Sequence, residues 1–507
     1  MNNSQESPSK NSPSDRQSTG LSSLDHILHG GLIPARQYMI RGKPGTGKTI
    51  FGLHYLAKGE TSNEDSLFIA LEEPPSDIRM NAESVGIDFD DINCLDLTPG
   101  TDVFSEDQSY NVFEPNEVES GTVIDQITDR TQAIDPDRVF IDPLTNLRFL
   151  GPDEHQFRKY ILSLKEFFNE HDATVLFSSE SVSEGDDSDL QFLADGVIEL
   201  QKDINGRILT VPKFRGSDII NGPHAFRIND EGIHVFPNIT LGESQESSIE
   251  SNQPIKSGVP ELDELLHGGL ERATVTVISG PTGVGKTTLG TQFMNEAAER
   301  GERSALYLFE ETISTFLDRS QAINIPVQQM REQGKLQIDE IDNLDQSPQE
   351  FAQQVRKEVT AHNTSVVMID GISGYKEVIT EHTKASHLTQ RLHKLTTYLT
   401  NQGITVILTD EVGSVTGDFS ATGNKISYLA DNIVFIQYIE VEGELRKAIG
   451  TLKMRASDFE RRLREFQISS RGLKIGEPLT ELRGILTGTP EITDGDGFMQ
   501  SPDNQKS

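Results

Sequence analysis

Two short strings in this chain have the residue types and spacing to hold a chain of phosphates. GKPGTGKT begins at Gly42 and GPTGVGKT begins at Gly280, and both read G-x-x-x-x-G-K-T. Glycines at such spacing let successive backbone N–H groups turn toward phosphate oxygens, as in a P-loop. In the first string the phosphate cradle is Gly42, Gly45, Thr46 and Gly47, and in the second it is Gly280, Thr282, Gly283, Val284 and Gly285. Lys48 and Lys286 are placed to reach the β- and γ-phosphates. Thr49 and Thr287 offer a hydroxyl to Mg²⁺, with Thr288 beside the latter. Each string follows a β-rich run and opens a helical pattern, so a helix N-terminus faces the anion.

Carboxylates recur at fixed places behind these strings. Asp142 and Asp370 end the apolar runs VFID and VVMID. An acidic residue at such a strand end holds Mg²⁺ directly or through water. Glu72-Glu73 and Glu310-Glu311 follow the strand after the P-loop helix, where a carboxylate can orient and deprotonate an attacking water. A solvated acidic pair is the competing reading. Lys213/Arg215 and Lys453/Arg455 alternate on a strand, so both cations leave one face. Far from their own P-loop, they are candidates to reach a neighbour's γ-phosphate rather than plain surface charges.

These pieces belong to an internal duplication. GLSSLDHILHGGL starts at Gly20 and GVPELDELLHGGL at Gly258, an offset of 258 − 20 = 238 that the P-loops and the LEE and FEE strings share. RVFIDP, ATVLFSSE, LADG and the K-x-R strand of the first repeat answer VVMIDG, ITVILTDE, LADN and the second K-x-R with looser spacing. The expected division is a polar tail over 1–18, a first domain over 19–239, a linker over 240–254, a second domain over 255–487 and a tail over 488–507.

The elements that must position the site alternate. Strands are expected over Gln37–Arg41, Ser66–Leu71, Arg138–Ile141 and Thr174–Ser178, with helices over Thr49–Lys58 and Glu154–Glu170. Such alternation implies an α/β fold, a mostly parallel sheet with helices on both faces. Consecutive short strands over Val197–Leu200, Arg207–Pro212 and Ala225–Ile228 then extend it in antiparallel fashion. The acidic stretch Thr98–Gly121 has no partner in the second repeat and reads as a loop.

Composition narrows the class. The chain has 507 residues, 35% of them hydrophobic, enough for two or three cores. The single cysteine, Cys94, excludes an intrachain disulfide and reads as a small apolar residue. No signal peptide opens the chain and no apolar run approaches the ~20 residues of a membrane span, so a cytoplasmic protein is expected. A net charge of −35 opposes nucleic-acid binding. It is also what a protein of a salty cytoplasm needs to stay hydrated, and then it says little about partners.

Together these motifs resemble the KaiC family within the RecA-like ATPases, from about Thr19 to Thr487. The paired HGGL strings, the EE pairs and the K-x-R strands are its more specific marks. The resemblance implies two tandem RecA-like P-loop domains that bind Mg·ATP in a homo-oligomer, a hexameric double ring. Each ATP lies between subunits, with the catalytic pairs on Glu72/Glu73 and Glu310/Glu311 and the K-x-R cations supplied by the adjacent subunit. It further implies a serine/threonine autokinase in the second domain, acting in signalling. The family's adjacent Ser-Thr acceptors, counted back from Asp431, fall on Ser427 and Tyr428; Thr422 is another hydroxyl nearby. Tyrosine in place of threonine departs from a two-site phosphorylation cycle. The matching positions in the first domain are Gln191 and Phe192, without a hydroxyl. A RecA/RadA-type or ring-helicase ATPase acting on DNA shares the P-loop core, but no DNA-binding module is recognisable. A nucleotide-gated scaffold is the third reading, and complete EE pairs in both halves argue against it.

Overall fold

The computed structural model describes residues 16–98, 117–150, 154–180, 187–203, 206–239, 253–341, 346–375, 385–412, 426–441, 443–455, 459–480, 482–483 and 491–492. The chain divides into two compact units, Met1–Asn238 and Ile239–Ser507. Each unit is built on one sheet of nine strands.

In the first unit the strands are β1 (Gln37–Gly42), β2 (Ser66–Ala70), β3 (Asn93–Asp96), β4 (Arg138–Asp142), β5 (Thr174–Glu180), β6 (Gly196–Asp203), β7 (Gly206–Phe214), β8 (His224–Asn229) and β9 (Gly232–Phe236). Their order is β3-β2-β4-β5-β1-β6-β7-β8-β9. β3 through β6 run parallel, and β6 to β9 pair antiparallel. The second unit repeats this with β10 (Val275–Gly280), β11 (Arg303–Leu308), β12 (Leu336–Glu340), β13 (Thr364–Asp370), β14 (Thr405–Glu411), β15 (Asn432–Val441), β16 (Glu444–Met454), β17 (Arg464–Ser469) and β18 (Gly472–Pro478). Its order is β12-β11-β13-β14-β10-β15-β16-β17-β18, the same path with each strand number raised by nine. These are two RecA-like α/β sheets.

The inner parallel strands are apolar through their centres because both their faces are covered. Phe68 and Ala70 of β2 enter one core, while Leu67 and Ile69 enter the other. In β13, Val366 and Met368 face one side and Val367 and Ile369 the opposite one. The helix Glu154–Glu170 buries Phe157, Ile161, Leu164 and Phe168, spaced by four, three and four residues as one helical face requires. The helix Pro348–His362 opens with a capping box, in which Ser347 Oγ accepts from the Glu350 N–H and Glu350 Oε2 accepts from the Ser347 N–H.

Several boundaries differ from the sequence expectation. β1 runs to Gly42 and β5 to Glu180, because strand pairing continues into the residues that begin the site. β9 was not anticipated; it follows a turn at Asn229–Gly232 and closes a hairpin with β8. The stretch expected as a loop over Thr98–Gly121 is helical from Glu117, in the helix Glu117–Ile134; residues 99–116 lie outside the described residues. Gln17, within the expected N-terminal tail, forms a bridge with Leu32. Glu491–Ile492, past Gly488, pairs with Leu482–Arg483.

Candidate functional site

The P-loop of the first unit joins the end of β1 to the helix Lys48–Ser62. Gly47 caps that helix at φ 106°, a left-handed conformation, and no side chain caps the first turn. Gly285 does the same for the helix Lys286–Glu299, at φ 113°. Glycine suits these positions because a Cβ strains such backbone. The first-turn N–H groups are left to bind an anion. Lys48 is buried; its Nζ donates to the Gly42 and Lys43 carbonyls at 3.0 and 3.4 Å and lies 3.8 Å from Glu180. Lys286 Nζ donates likewise to Gly280 and Pro281, at 2.9 and 3.0 Å. Thr46 Oγ1 closes the first loop on the Lys43 carbonyl at 2.8 Å. Val284, in its place in the second unit, and Thr288 are buried, while Thr282 donates to Glu411. Gly45 and Gly283 take φ 73° and 74° in the two loops.

The strand-end aspartates meet the P-loop threonines. Thr49 Oγ1 donates to Asp142 Oδ2 at 2.6 Å, and Thr287 Oγ1 to Asp370 Oδ2 at 2.8 Å. Ser178 of β5 donates to Asp142, and Thr409 of β14 to Asp370 at 2.6 Å. Burial raises both aspartates above the ordinary carboxylate range, and these hydroxyl donors oppose the shift. A hydroxyl and a carboxylate side by side are hard oxygen donors that fit Mg²⁺, an ion that keeps its other positions for water and phosphate. Among the described residues no group of three or more His, Cys, Asp or Glu forms a metal cage of its own.

In the first unit these groups line a cavity of about 360 Å³ that also takes in Glu72, Glu73, Glu180 and Arg207. Burial raises the carboxyl of Glu72, helped by the neighbouring Glu180, Asp142 and Glu73 and opposed by Lys48. Burial likewise raises Glu73, Glu310 and Glu311. Arg319 opposes the rise at Glu311. Glu310 Oε1 accepts from the Gly374 N–H at 3.2 Å.

A family model described as the KaiC ATPase matches residues 17–240 and again 255–480. The chain belongs to the KaiC ATPase family. It is 28% identical to the circadian clock oscillator protein KaiC of Acaryochloris marina, over 93% of this chain and 90% of that protein. It is 29% identical to the circadian clock protein KaiC3 of Synechocystis, over 94% of this chain and 95% of that protein. To the KaiC of Synechococcus elongatus it is also 29% identical, over 96% and 95% respectively.

The K-x-R cations of this KaiC-family chain stand apart from its own P-loops. β7 starts at the P-loop, where Arg207 donates to the Gly45 and Thr46 carbonyls at 2.9 Å. Lys213 is six residues further along, ~20 Å away at ~3.3 Å per residue. There its Nζ donates to the Gln191 and Phe192 carbonyls at 2.7 and 3.1 Å. β16 repeats this: Lys447 Nζ donates to the Gly283 carbonyl at 3.3 Å, and Lys453 Nζ to the Ser427 carbonyl at 3.2 Å and to Ala430. The strands end at Phe214 and Met454, so Arg215 and Arg455 stand one residue past them. Both arginines are more than half exposed and pair with Asp195 and Asp431, at 3.5 and 3.1 Å. Ser427 and Tyr428 are exposed in the turn that Lys453 braces, with the Tyr428 ring 6.1 Å from His393. Thr422 lies outside the described residues.

Sequence reasoning passed over four kinds of site residue. Ser178 and Thr409 hold the aspartates, Glu180 and Glu411 face the P-loop, and Arg207 and Lys447 brace its tip. Asn81 and Arg319 hold Glu73 and Glu311. Glu180 and Glu411 had left a signal, since both end matched strings of the duplication.

Proposed function

We propose that this chain is a KaiC-family regulator that hydrolyses ATP in both units. The observation that carries the reading is the constellation repeated in both: a P-loop lysine donating to its own loop's carbonyls, a Thr–Asp pair and an acidic pair, beside an uncapped helix N-terminus. Mg²⁺ would be held by Thr49 with Asp142 and by Thr287 with Asp370, and it supplies charge neutralisation on the phosphates. The backbone N–H groups and Lys48 or Lys286 bind and orient the triphosphate. A carboxylate of Glu72/Glu73 or Glu310/Glu311 takes the proton of the attacking water. As that water oxygen bonds to the γ-phosphorus, the bond from phosphorus to the β,γ-bridging oxygen breaks and ADP keeps its electron pair.

In this reading the chain assembles as a hexameric double ring in the cytoplasm, without nucleic acid. Arg215 and Arg455, exposed and remote from their own P-loops, serve the nucleotide of an adjacent subunit with Lys213 and Lys453 beside them. The second unit phosphorylates the chain on Ser427, with Thr422 as the lesser acceptor. The exposed hydroxyl of Ser427, where the first unit has Gln191, supports that asymmetry. The relatives' names place them in circadian clocks; for this chain we infer regulation or signalling. Incubation with γ-labelled ATP tests the hydrolysis and the self-phosphorylation, with free phosphate and protein-bound phosphate counted separately. Free phosphate above a Lys48→Ala, Lys286→Ala chain is expected, and its absence overturns the ATPase reading.

A further inference from the structure

The two sites hold the second carboxylate of their acidic pairs in different ways. In the first unit Glu73 Oε2 accepts a single amide hydrogen bond from Asn81, 3.1 Å long, on the helix Pro75–Glu83. The residue 238 positions further on is Arg319, on the helix Ile313–Ala322. Its two terminal nitrogens donate to both oxygens of Glu311, at 2.8 and 2.6 Å. The guanidinium is itself fixed, lying over the ring of the buried Phe316 with 5.6 Å to the centroid. Its charge also reaches Asp370, whereas Asn81 brings no charge to Asp142.

A bidentate guanidinium–carboxylate pair is among the strong hydrogen-bonded arrangements; it takes one lone pair of each oxygen, and its positive charge disfavours protonation of the carboxylate. Glu310, the other member of the pair, is held by the Gly374 N–H. Glu311 therefore has both oxygens engaged and Glu310 one, while at the first site the amide of Asn81 leaves Glu73 Oε1 available. The hydrogen bonds of Arg319 go to Glu311 and not to Lys286, Thr287 or the P-loop backbone, which hold the nucleotide.

We propose that Arg319 is a positioning residue that restrains water activation at the second site, so that ATP bound there is hydrolysed more slowly than ATP at the first. This rests on the reading of both units as ATPases. The test uses the full-length chain carrying Lys48→Ala, so that released phosphate comes from the second site. Arg319→Asn, which installs the first-site residue type, is expected to raise kcat for phosphate release about tenfold, part of the ~10²–10⁴-fold that a general base contributes. KM for Mg·ATP stays within about twofold, because the lost contact bears on water and not on nucleotide. Arg319→Lys keeps the charge without the fork and gives a smaller gain. The reciprocal change, Asn81→Arg in a Lys286→Ala chain, lowers kcat at the first site by a similar factor. Calorimetric binding of ATP confirms that each variant is folded, and if Arg319→Asn does not bind, Arg319→Lys and the Asn81→Arg arm decide. An unchanged or lowered kcat in the Arg319 variants, with ATP still bound, overturns the restraint; a lowered one makes Arg319 a stabiliser of developing charge. If the first site releases phosphate and Arg319→Asn adds none at the second, the inference alone falls. If no chain releases phosphate, the ATPase reading falls with it.

Discussion

From Gly20 to Gly86 and from Gly258 to Asn324 the two units keep step residue for residue; further on they do not. Matched residues lie 238 apart at Lys48 and Lys286, 228 at Asp142 and Asp370, 231 at Glu180 and Glu411, and 240 at Lys213 and Lys453. Both sheets nevertheless follow one strand order. Length has changed in the connections, which run over the surface and tolerate insertion, and in the β15–β16 hairpin, whose strands are each two residues longer than β6 and β7, while the strand ends that carry the site have kept their places. The differences that remain are in side chains. Asn81 answers to Arg319, Ser178 to Thr409, and Gln191-Phe192 to Ser427-Tyr428. The parts that grip a nucleotide match. The parts that differ surround the place where, in our reading, the fate of the γ-phosphate is decided.

The grip itself offers the largest test. Lys48→Ala and Lys286→Ala should each abolish nucleotide binding in one unit and spare the other, because each unit has a complete P-loop. Calorimetry on the unmutated chain should then resolve two binding events per chain and on each variant one. A single event in the parent would mean that one P-loop has been misread.

Removing the base should separate binding from chemistry. Glu72→Gln with Glu73→Gln is expected to leave ATP bound at the first site and slow its hydrolysis by ~10²–10⁴-fold. Measured in the Lys286→Ala chain, unchanged phosphate release would deny these carboxylates the role. The same pair of changes at Glu310 and Glu311 should cost less, if Arg319 already restrains that site.

A smaller loss is expected from Arg215→Ala, about tenfold in hydrolysis and well short of the ~10³–10⁵-fold of a lone arginine finger, because Lys213 remains beside it. The defect should appear only in assembled rings. Mixing this variant with a Lys48→Ala chain should restore part of the activity at interfaces that join an intact Lys48 to an intact Arg215. No recovery at any ratio, with subunit exchange confirmed, would sink the arrangement in trans. Mass spectrometry after incubation with Mg·ATP addresses the hydroxyl turn: phosphate on Ser427 is expected, and it should vanish in Lys286→Ala.

How much of this was legible in the sequence follows from distance along the chain. The P-loops, the acidic pairs and the strand-end aspartates sit in short strings whose spacing is itself the motif. The alternation of apolar runs was enough for the parallel sheet. Glu180 and Ser178 were missed as site residues because they reach the P-loop through sheet order, β5 lying against β1 although 137 residues separate Gln37 from Thr174. Arg207 reaches the P-loop tip because β7 turns back antiparallel, a pairing that the motif spacing does not encode. Arg319 was missed for a different reason. It lies within the in-step stretch, but a single Arg on a solvated helix carries no pattern until its contact with Glu311 is seen.

The smallest expected effect concerns packing and contrasts the two units most directly. The P-loop helix of each lies against the strand that ends in the aspartate, and a glycine makes the contact. A Cβ at Gly52 would fall 2.0 Å from the ring of Phe140, a stiff and fully buried side chain. At Gly290 it would meet the Sδ and Cε of Met368 at 2.6 Å, the far end of a flexible chain that can turn aside. Alanine within a helix is otherwise favoured over glycine by about 0.5–1 kcal/mol. Overpacking costs about 1–3 kcal/mol where neighbours cannot yield. Gly52→Ala should therefore destabilise the first unit by about 1–2 kcal/mol net of that helix gain, while Gly290→Ala should fall near zero. Hydrogen exchange read separately over the helices Lys48–Ser62 and Lys286–Glu299 of the full chain measures both. Equal loss of protection in the two would show that the methionine yields no more readily than the phenylalanine, and the units would then be alike in packing as they are in strand order.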